Sequence, residues 1–403
     1  MKVAVIGGGA SGLACAISAA RKAKSSGTRC DITVFEAKDR VGKKLLATGN
    51  GRCNLLNTDG NPFYFSDNKF HLYAVNKFNW KSNTEFFESM GLFVRCDDEG
   101  RVYPLSNQAT SVLDALRLEC ERLGIEFITG YEVSYIAKKD NKFFINGEMS
   151  FDKAVLACGG MAAVKGFNGY DLLTQLGHKV TAVSPSLTKL NVSDTKYVKQ
   201  LQGIRHKVRL SLTVNGRYVT EETGELLFAK YGLSGIAVMQ LSAFITRLGK
   251  KDKAVVTADF VPSFTLNGLA DALNGIIKHD INMKAENLLS GFMPKKLGEA
   301  VIRSLGIDIN VNVGALTEGN IKDIAKRAKN FSFPVESVRP FEDAQVTAGG
   351  ADTRYFSDKT MESMLHKGFY AVGEVLDVDG LCGGFNLMWA WSSGRLCGEA
   401  LIK

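Results

Sequence analysis

Apolar residues open the chain as a short unbroken run, Val3 to Ile6, the pattern of a parallel strand buried on both faces. Six small residues follow, Gly7-Gly8-Gly9-Ala10-Ser11-Gly12, and Leu13, Ala16, Ile17 and Ala20 then recur at helical spacing. Asp31 to Phe35 predicts a second strand, closed by Glu36. A helical pattern follows Ser82, Asp97 to Arg101 is turn-like, and Leu113, Leu116, Leu118 and Leu123 predict an amphipathic helix. Ala154 to Ala157 predicts a buried strand that runs into Cys158-Gly159-Gly160.

The texture changes from about Ser186. Val208, Leu210, Leu212 and Val214 alternate, Asn215-Gly216 is a two-residue turn, and Arg217-Tyr218-Val219 returns, so a hairpin is predicted. Ala254 to Val261 predicts another strand, and Leu266, Leu269, Leu273, Ile276 and Ile277, then Leu297, Val301 and Leu305, mark helical faces. Gly368 to Glu374 is a buried strand ending at a glycine and a carboxylate, and Gly383-Gly384-Phe385-Asn386 opens a last helix through Trp389 and Ala400. This order predicts an α/β domain formed by residues 1–185 and 346–403. Into it are inserted a β-rich, barrel-like part (186–262 and 330–345) and a helical part (263–329).

Composition narrows the class. With 403 residues, 45% hydrophobic and 23% charged, the chain is globular and needs no disulfide framework. No two of its 8 cysteines are spaced Cys-x-x-Cys, and its 5 histidines lack metal-ligand spacing, so no metal is expected. The most apolar stretch, Tyr231 to Thr246, is uncharged for 16 residues, short of the roughly 20 that span a bilayer. The first residues do not read as a signal peptide, and a soluble, cytoplasmic protein without membrane partners is expected. Of the net charge of +8, +6 lies in residues 186–345 without any single-sign run, which favours a solvated surface over a nucleic-acid stripe.

The glycines of the opening turn carry chemistry. Gly7, Gly9 and Gly12 form G-x-G-x-x-G between a strand and a helix, and Glu36 follows 24 residues after Gly12. In such a unit the first glycine permits the tight turn, the second lets backbone approach a pyrophosphate, and the third lets helix pack on strand. The helix start, with Gly8, Ala10 and Ser11, offers free N–H groups and the positive end of the dipole to the phosphates. Glu36, followed by Ala37 and Lys38, suits the hydroxyls of an adenosine ribose. A dinucleotide site is expected. After it the βαβ alternation breaks into a polar, glycine-rich loop with Lys44, Thr48, Gly49, Asn50, Gly51, Arg52, Cys53 and Asn54, which suits the extended cofactor FAD.

That loop, Lys44 to Asn54, resembles the signature of the BaiN-like (YhiN-type) FAD-dependent oxidoreductases. So do Gln345 to Gly350, Thr360-Met361-Glu362-Ser363, Gly373 to Gly380, Gly383 to Asn386 and Trp389 to Gly394. Arg101-Val102-Tyr103-Pro104, Gly177-His178, Pro185-Ser186-Leu187 and Tyr231 to Gly235 match between the ends. The chain departs from the family pattern at Ile236, where proline is usual, and at Gly166-Phe167-Asn168-Gly169-Tyr170, where Thr-Gly-Asp-Gly-Tyr is usual. The resemblance implies a glutathione-reductase-type FAD-binding, Rossmann-like domain, with Val133, Gly159, Gly160, Gly373, Glu374, Gly383, Gly384, Phe385 and Asn386 completing the cofactor site. Glu374 stands where related flavoproteins hold the ribityl chain.

The family's activity implies hydride delivery to a carbon–carbon double bond conjugated to a carbonyl, on a small molecule held in a cleft beside the insert. No second G-x-G-x-x-G follows another strand, so NAD(P)H is expected as a transient donor. Tyr103 is the candidate acid, and Arg52 the candidate for polarising substrate or flavin. Cys53 has no partner cysteine five positions on, where Thr58 stands, so a dithiol reductase is excluded and packing is the expected role. Two alternatives stay open: an oxidase of a small amine or aminoketone, and a flavin-bearing protein that docks nucleic acid.

Overall fold

The computed structural model describes residues 1–60, 63–162, 169–193 and 196–402. Two compact units emerge, Met1–Ser184 with Gln345–Lys403, and Pro185–Ala344.

The first unit is built on a five-stranded parallel sheet. Its spatial order is Phe369–Ala371, Lys153–Leu156, Lys2–Ile6, Asp31–Glu36 and Glu126–Thr129. The first strand is central, pairing Ile6 with Leu156 on one side and with Phe35 on the other. Val3, Ala4 and Val5 are wholly buried, as expected of a strand covered on both faces. The helix Ala10–Ser26 packs on the last helix, Phe385–Leu401. Their backbones approach closely because Gly394 and Gly398 have no side chain. A Cβ on Gly398 would lie 2.5 Å from the carbonyl oxygen of Cys15. The last helix is buried almost all round. Trp389 Nε1 donates to Gly373 O and Trp391 Nε1 to Leu55 O, each at 3.1 Å, so neither indole is left unsatisfied.

The helix Ala109–Arg122 forms where the leucine pattern predicts it, but Leu118 is 54% exposed. Two residues beyond the buried Leu116, it is turned roughly 200° around the helix. Val112, Leu116 and Cys120, at spacing four, make the buried face instead.

The second unit contains a closed antiparallel barrel. Going round it, the strands are Leu190–Val192, Gly232–Ser234, Arg217–Ala229, Arg205–Val214, Ala254–Asp259 and Phe331–Val338. Val208, Leu210 and Leu212 point inward and are fully buried, and the positive φ of Asn215 and Gly216 makes the hairpin turn. Three principal helices follow in the insert, Leu266–His279, Lys295–Arg303 and Glu318–Lys329. Thr265 caps the first, and Thr317 with Asn320 forms a capping box on the third. The apolar stretch from Tyr231 folds into the strand Gly232–Ser234 and the helix Ile236–Ile245. Among the described residues no helix is long and apolar enough to cross a membrane.

Candidate flavin site at the carboxyl end of the sheet

Gly7 leaves the first strand with φ +113°, and its N–H donates to Phe35 O at 2.8 Å, tying the turn to the second strand. A Cβ on Gly12 would collide with Gly7 O, and one on Gly7 with Ala157 O, so both glycines are demanded by the fold itself. Gly9 differs: a Cβ there would meet nothing within 4 Å. It opens the helix Ala10–Ser26 with no side-chain cap, so no side chain takes up the first-turn N–H groups. Glu36 closes this cradle, accepting from Gly8 N at 3.0 Å and from Lys38 N at 2.9 Å. The backbone N–H groups of Gly130 and Tyr131 donate to Lys38 O and Glu36 O, and the buried Val133 follows two positions later.

The loop after the second strand is two short helical pieces, Lys43–Ala47 and Thr48–Gly51. Gly49, Asn50, Gly51 and Cys53 all take positive φ, which folds the chain back on itself. Thr48 donates its hydroxyl to Leu45 O at 2.6 Å. Cys53 is fully buried, and burial pushes its thiol up to about 12, with the Thr48 hydroxyl opposing the shift. Such a thiol is protonated and inert at neutral pH. Burial holds the Cys158 thiol at about 12 as well. Asn54 presents a buried Oδ1 that has no hydrogen-bond partner among the described residues.

Lys44 Nζ donates to Glu374 Oε2 at 2.6 Å, while Glu374 Oε1 accepts from Thr347 N at 2.9 Å. Gly160 lies alongside, where a Cβ would approach Glu374 Oε1 to 2.8 Å, and Gly159 turns there with φ +74°. Gly373 N–H donates to Ser393 Oγ at 3.0 Å. Gly383 and Gly384 then lead into the last helix, whose first turn has no side-chain cap. Asn386 spends its carboxamide on the N–H and carbonyl of Gly380, both at 2.8 Å, and Tyr64 donates its hydroxyl to Phe385 O. What the helix start offers outward is therefore backbone N–H, not the Asn386 side chain.

The residues present fit a flavin dinucleotide. An open glycine cradle, two uncapped helix starts, a carboxylate at the end of the second strand and an unpartnered buried Asn54 Oδ1 are a donor and acceptor set that a ligand completes.

Tyr103 and Arg52 come together beside this loop. The strand Arg101–Pro104 puts Tyr103, 6% exposed, with its ring 5.3 Å from the Arg52 guanidinium carbon. Three contributors were not anticipated. Asn57 Nδ2 donates to Gly383 O at 2.9 Å, Thr347 N–H donates to Glu374, and the Arg95 guanidinium also lies over the Tyr103 ring, at 5.4 Å. Only Thr347 lay in a motif singled out beforehand. Asn57 and Arg95 depend on pairing that periodicity does not reveal. Of the two departures from the family pattern, Ile236 is 54% exposed at a helix start, and Gly166-Phe167-Asn168 lies outside the described residues.

Residues 1–400 match the family described as the HI0933-like protein Rossmann domain. The chain is 34% identical over 411 residues to a 3-dehydro-bile acid delta(4,6)-reductase of Clostridium scindens, with 100% of this chain and 99% of that one covered. It is 28% identical over 414 residues to a ribosomal RNA dihydrouridine synthase of Haemophilus influenzae, covering 99% of this chain and 98% of that one. A ribosomal RNA dihydrouridine synthase of Escherichia coli is also 28% identical, over 407 residues, covering 99% and 97%. With its Rossmann-type FAD-binding domain and inserted barrel, the chain belongs to the HI0933-like family of FAD-dependent oxidoreductases.

Proposed function

We propose that the chain is a reductase that takes hydride from NAD(P)H and saturates a carbon–carbon double bond conjugated to a carbonyl. The observation that carries this reading is the 34% identity, over the whole of both chains, to a reductase of 3-dehydro-bile acids. The two dihydrouridine synthases support the same bond chemistry, because the uracil ring also has a double bond conjugated to a carbonyl. The overall change is donor hydride plus one proton added across the double bond, with NAD(P)+ released.

FAD, when bound, supplies the carrier that accepts a hydride and yields it to carbon. Glu36 would hold the adenosine ribose, the N–H groups after Gly9 the pyrophosphate, and Glu374 with Lys44 the ribityl side. The N–H groups after Gly384 would face the pyrimidine edge of the flavin. Tyr103 would give its hydroxyl proton to the α-carbon, and Arg52 would polarise the carbonyl. A cytoplasmic setting, where NAD(P)H is abundant, goes with this reading.

A second reading is that the acceptor is a uridine in RNA. The 28% relatives support it, and residues 186–345 carry +6 of the net charge.

The test is the visible spectrum of the purified protein, followed by anaerobic titration with NADH and NADPH. Flavin absorbance that bleaches, and returns on adding a 3-oxo-4-ene steroid acid, supports the first reading. Return only with a ribosomal RNA transcript, in a salt-sensitive manner, moves the assignment to the second. Flavin that ignores both nucleotides but is reduced by small amines identifies an oxidase instead, and a colourless protein that cannot be reconstituted with FAD overturns the proposal.

A further inference from the structure

The ring of Tyr103 is shared by two cations. Arg52 and Arg95 place their guanidinium carbons 5.3 and 5.4 Å from the centre of its ring. Each is brought there by a separate constraint. Arg95 sits directly across the ladder from Tyr103, because the strand Val94–Cys96 pairs antiparallel with Arg101–Pro104 in the register Arg95↔Tyr103. Arg52 arrives through the left-handed turns of Gly49 to Cys53, and Leu55 N–H donates to Val102 O at 2.8 Å, fastening that loop to the same strand. Arg95 Nη2 is further held by Asn107 Oδ1 at 3.0 Å, and Arg52 Nε by Gly49 O at 3.3 Å.

Among the described residues, neither guanidinium has a carboxylate partner. Two acids of the adjoining turn are committed elsewhere: Asp97 and Glu99 both pair with Arg101, at 2.9 and 2.7 Å. Of the three arginines on this small sheet and its loop, one is therefore neutralised, while the two that share Tyr103 are not. Both are solvent-exposed. Two uncompensated cations held near one ring repel each other, and a planar guanidinium offers paired N–H donors suited to a carboxylate or phosphate. The plain alternative is a pair of solvated arginines resting on an aromatic ring. It does not account for both being fixed by further hydrogen bonds while the neighbouring acids turn to Arg101.

We infer that Arg52 and Arg95 form a binding site for an oxyanion, a carboxylate or a phosphate, carried by the molecule that comes to the flavin, beside the Tyr103 ring that both contact. The inference rests on the reductase reading only for what carries the anion: the acceptor's carboxylate, or the phosphates of the nicotinamide donor. It makes Arg95 a specificity residue.

The experiment compares the wild-type protein with Arg95→Gln, Arg52→Gln and, as a control for lost surface charge, Arg29→Gln. In one arm a 3-oxo-4-ene steroid acid and its methyl ester are titrated against the oxidised protein and followed by perturbation of the flavin spectrum. In the other, NADH and NADPH dissociation constants are taken from anaerobic flavin reduction. The expected result is a rise of roughly 10- to 100-fold in one dissociation constant on losing Arg95 or Arg52, the loss of one charge-assisted contact. If that rise is seen with the acid and not with the ester, the anion is the acceptor's carboxylate, and Arg52 and Tyr103 then hold that end of the molecule rather than its conjugated carbonyl. A rise confined to the nucleotides makes it the donor's phosphate. Binding of all four molecules that stays within that of Arg29→Gln overturns the site. Wild-type protein that holds no flavin removes the reductase reading but not the test: ³¹P line widths of inorganic phosphate, broadened by wild-type protein and not by Arg95→Gln, still decide the anion site, and equal broadening overturns it.

Discussion

Lys44 and Glu374 stand 330 positions apart in the chain and meet in a 2.6 Å ion pair. Through this pair the loop that follows the second strand and the carboxylate in the turn after a late strand, Phe369–Ala371, become parts of one site. Both side chains are partly exposed, at 39% and 20%, so the pair adds at most about 1 kcal/mol to folding. Its weight should fall on the cofactor. Lys44→Met is expected to leave the melting temperature within about 2 °C, while weakening FAD retention roughly 10-fold or more, since the Glu374 charge then faces the dinucleotide uncompensated. Flavin fluorescence released on dilution reads this directly.

Two neighbouring glycines should fail in different ways. Gly9→Ala introduces a methyl into open space and is expected to give a folded apoprotein of unchanged stability that no longer binds FAD. Gly12→Ala collides with Gly7 O and should destabilise the protein with or without flavin. Thermal melts of the apoproteins, alongside FAD titrations, separate the two.

If Tyr103 supplies the proton, Tyr103→Phe keeps the ring that Arg52 and Arg95 contact but removes the donor. Reduction of the flavin by NAD(P)H should be unchanged, while reoxidation by a conjugated acceptor slows by roughly 100-fold or more. Stopped-flow measurement of the two half-reactions checks it, and equal loss in both would make Tyr103 a packing residue.

Acid should destabilise the fold through two buried histidines. Burial, then the charge of His366, holds His178 down at about 4, and burial, then Lys69, holds His71 at about 4, both from an ordinary 6.5. Each native imidazole resists a proton that the unfolded chain accepts, so stability is full above about pH 6.5 and is lost as the pH falls towards 4. The expected loss is roughly 2 to 3 kcal/mol per histidine over that window. His178 shows why: its ring stacks on Phe356 at 4.6 Å, Ser363 Oγ bonds Nε2 at 3.0 Å, and Nδ1 has no partner among the described residues. Urea denaturation from pH 8 to 4 should show this slope, reduced in His178→Gln.

Thiol chemistry should spare the site. Cys53 and Cys158, held at about 12 by burial, should stay unmodified by iodoacetamide at pH 8, while the exposed Cys96 is alkylated. Peptide mass spectrometry after a timed pulse checks the order.

Much of the site could be read in the sequence because its logic is local. Strand, glycine turn, helix, strand and acid occur within 36 residues, and Gly12 answers to Gly7 O only five positions back, although Gly7 itself is pressed by the distant Ala157 O. The Asn215-Gly216 hairpin and the inward alternation of Val208, Leu210 and Leu212 are local in the same sense. The helix Ala109–Arg122 shows where such reading weakens: its leucines predict the helix, but only the 3.6-residue period decides that Leu118 faces water.

The chain's own pattern thus determined that a Rossmann-type turn would form, that a β-rich insert would follow, and which glycines the turn requires. Tertiary structure alone decided what those elements meet. Leu190–Val192 closes the barrel against Phe331–Val338, Asn57 holds Gly383, Lys44 finds Glu374, and Arg95 and Arg52 converge on Tyr103. Periodicity records which face of an element is buried. It carries no record of which distant element covers that face or in what register, because that choice is made by ladder hydrogen bonds, side-chain packing and charge pairing between segments far apart in the chain.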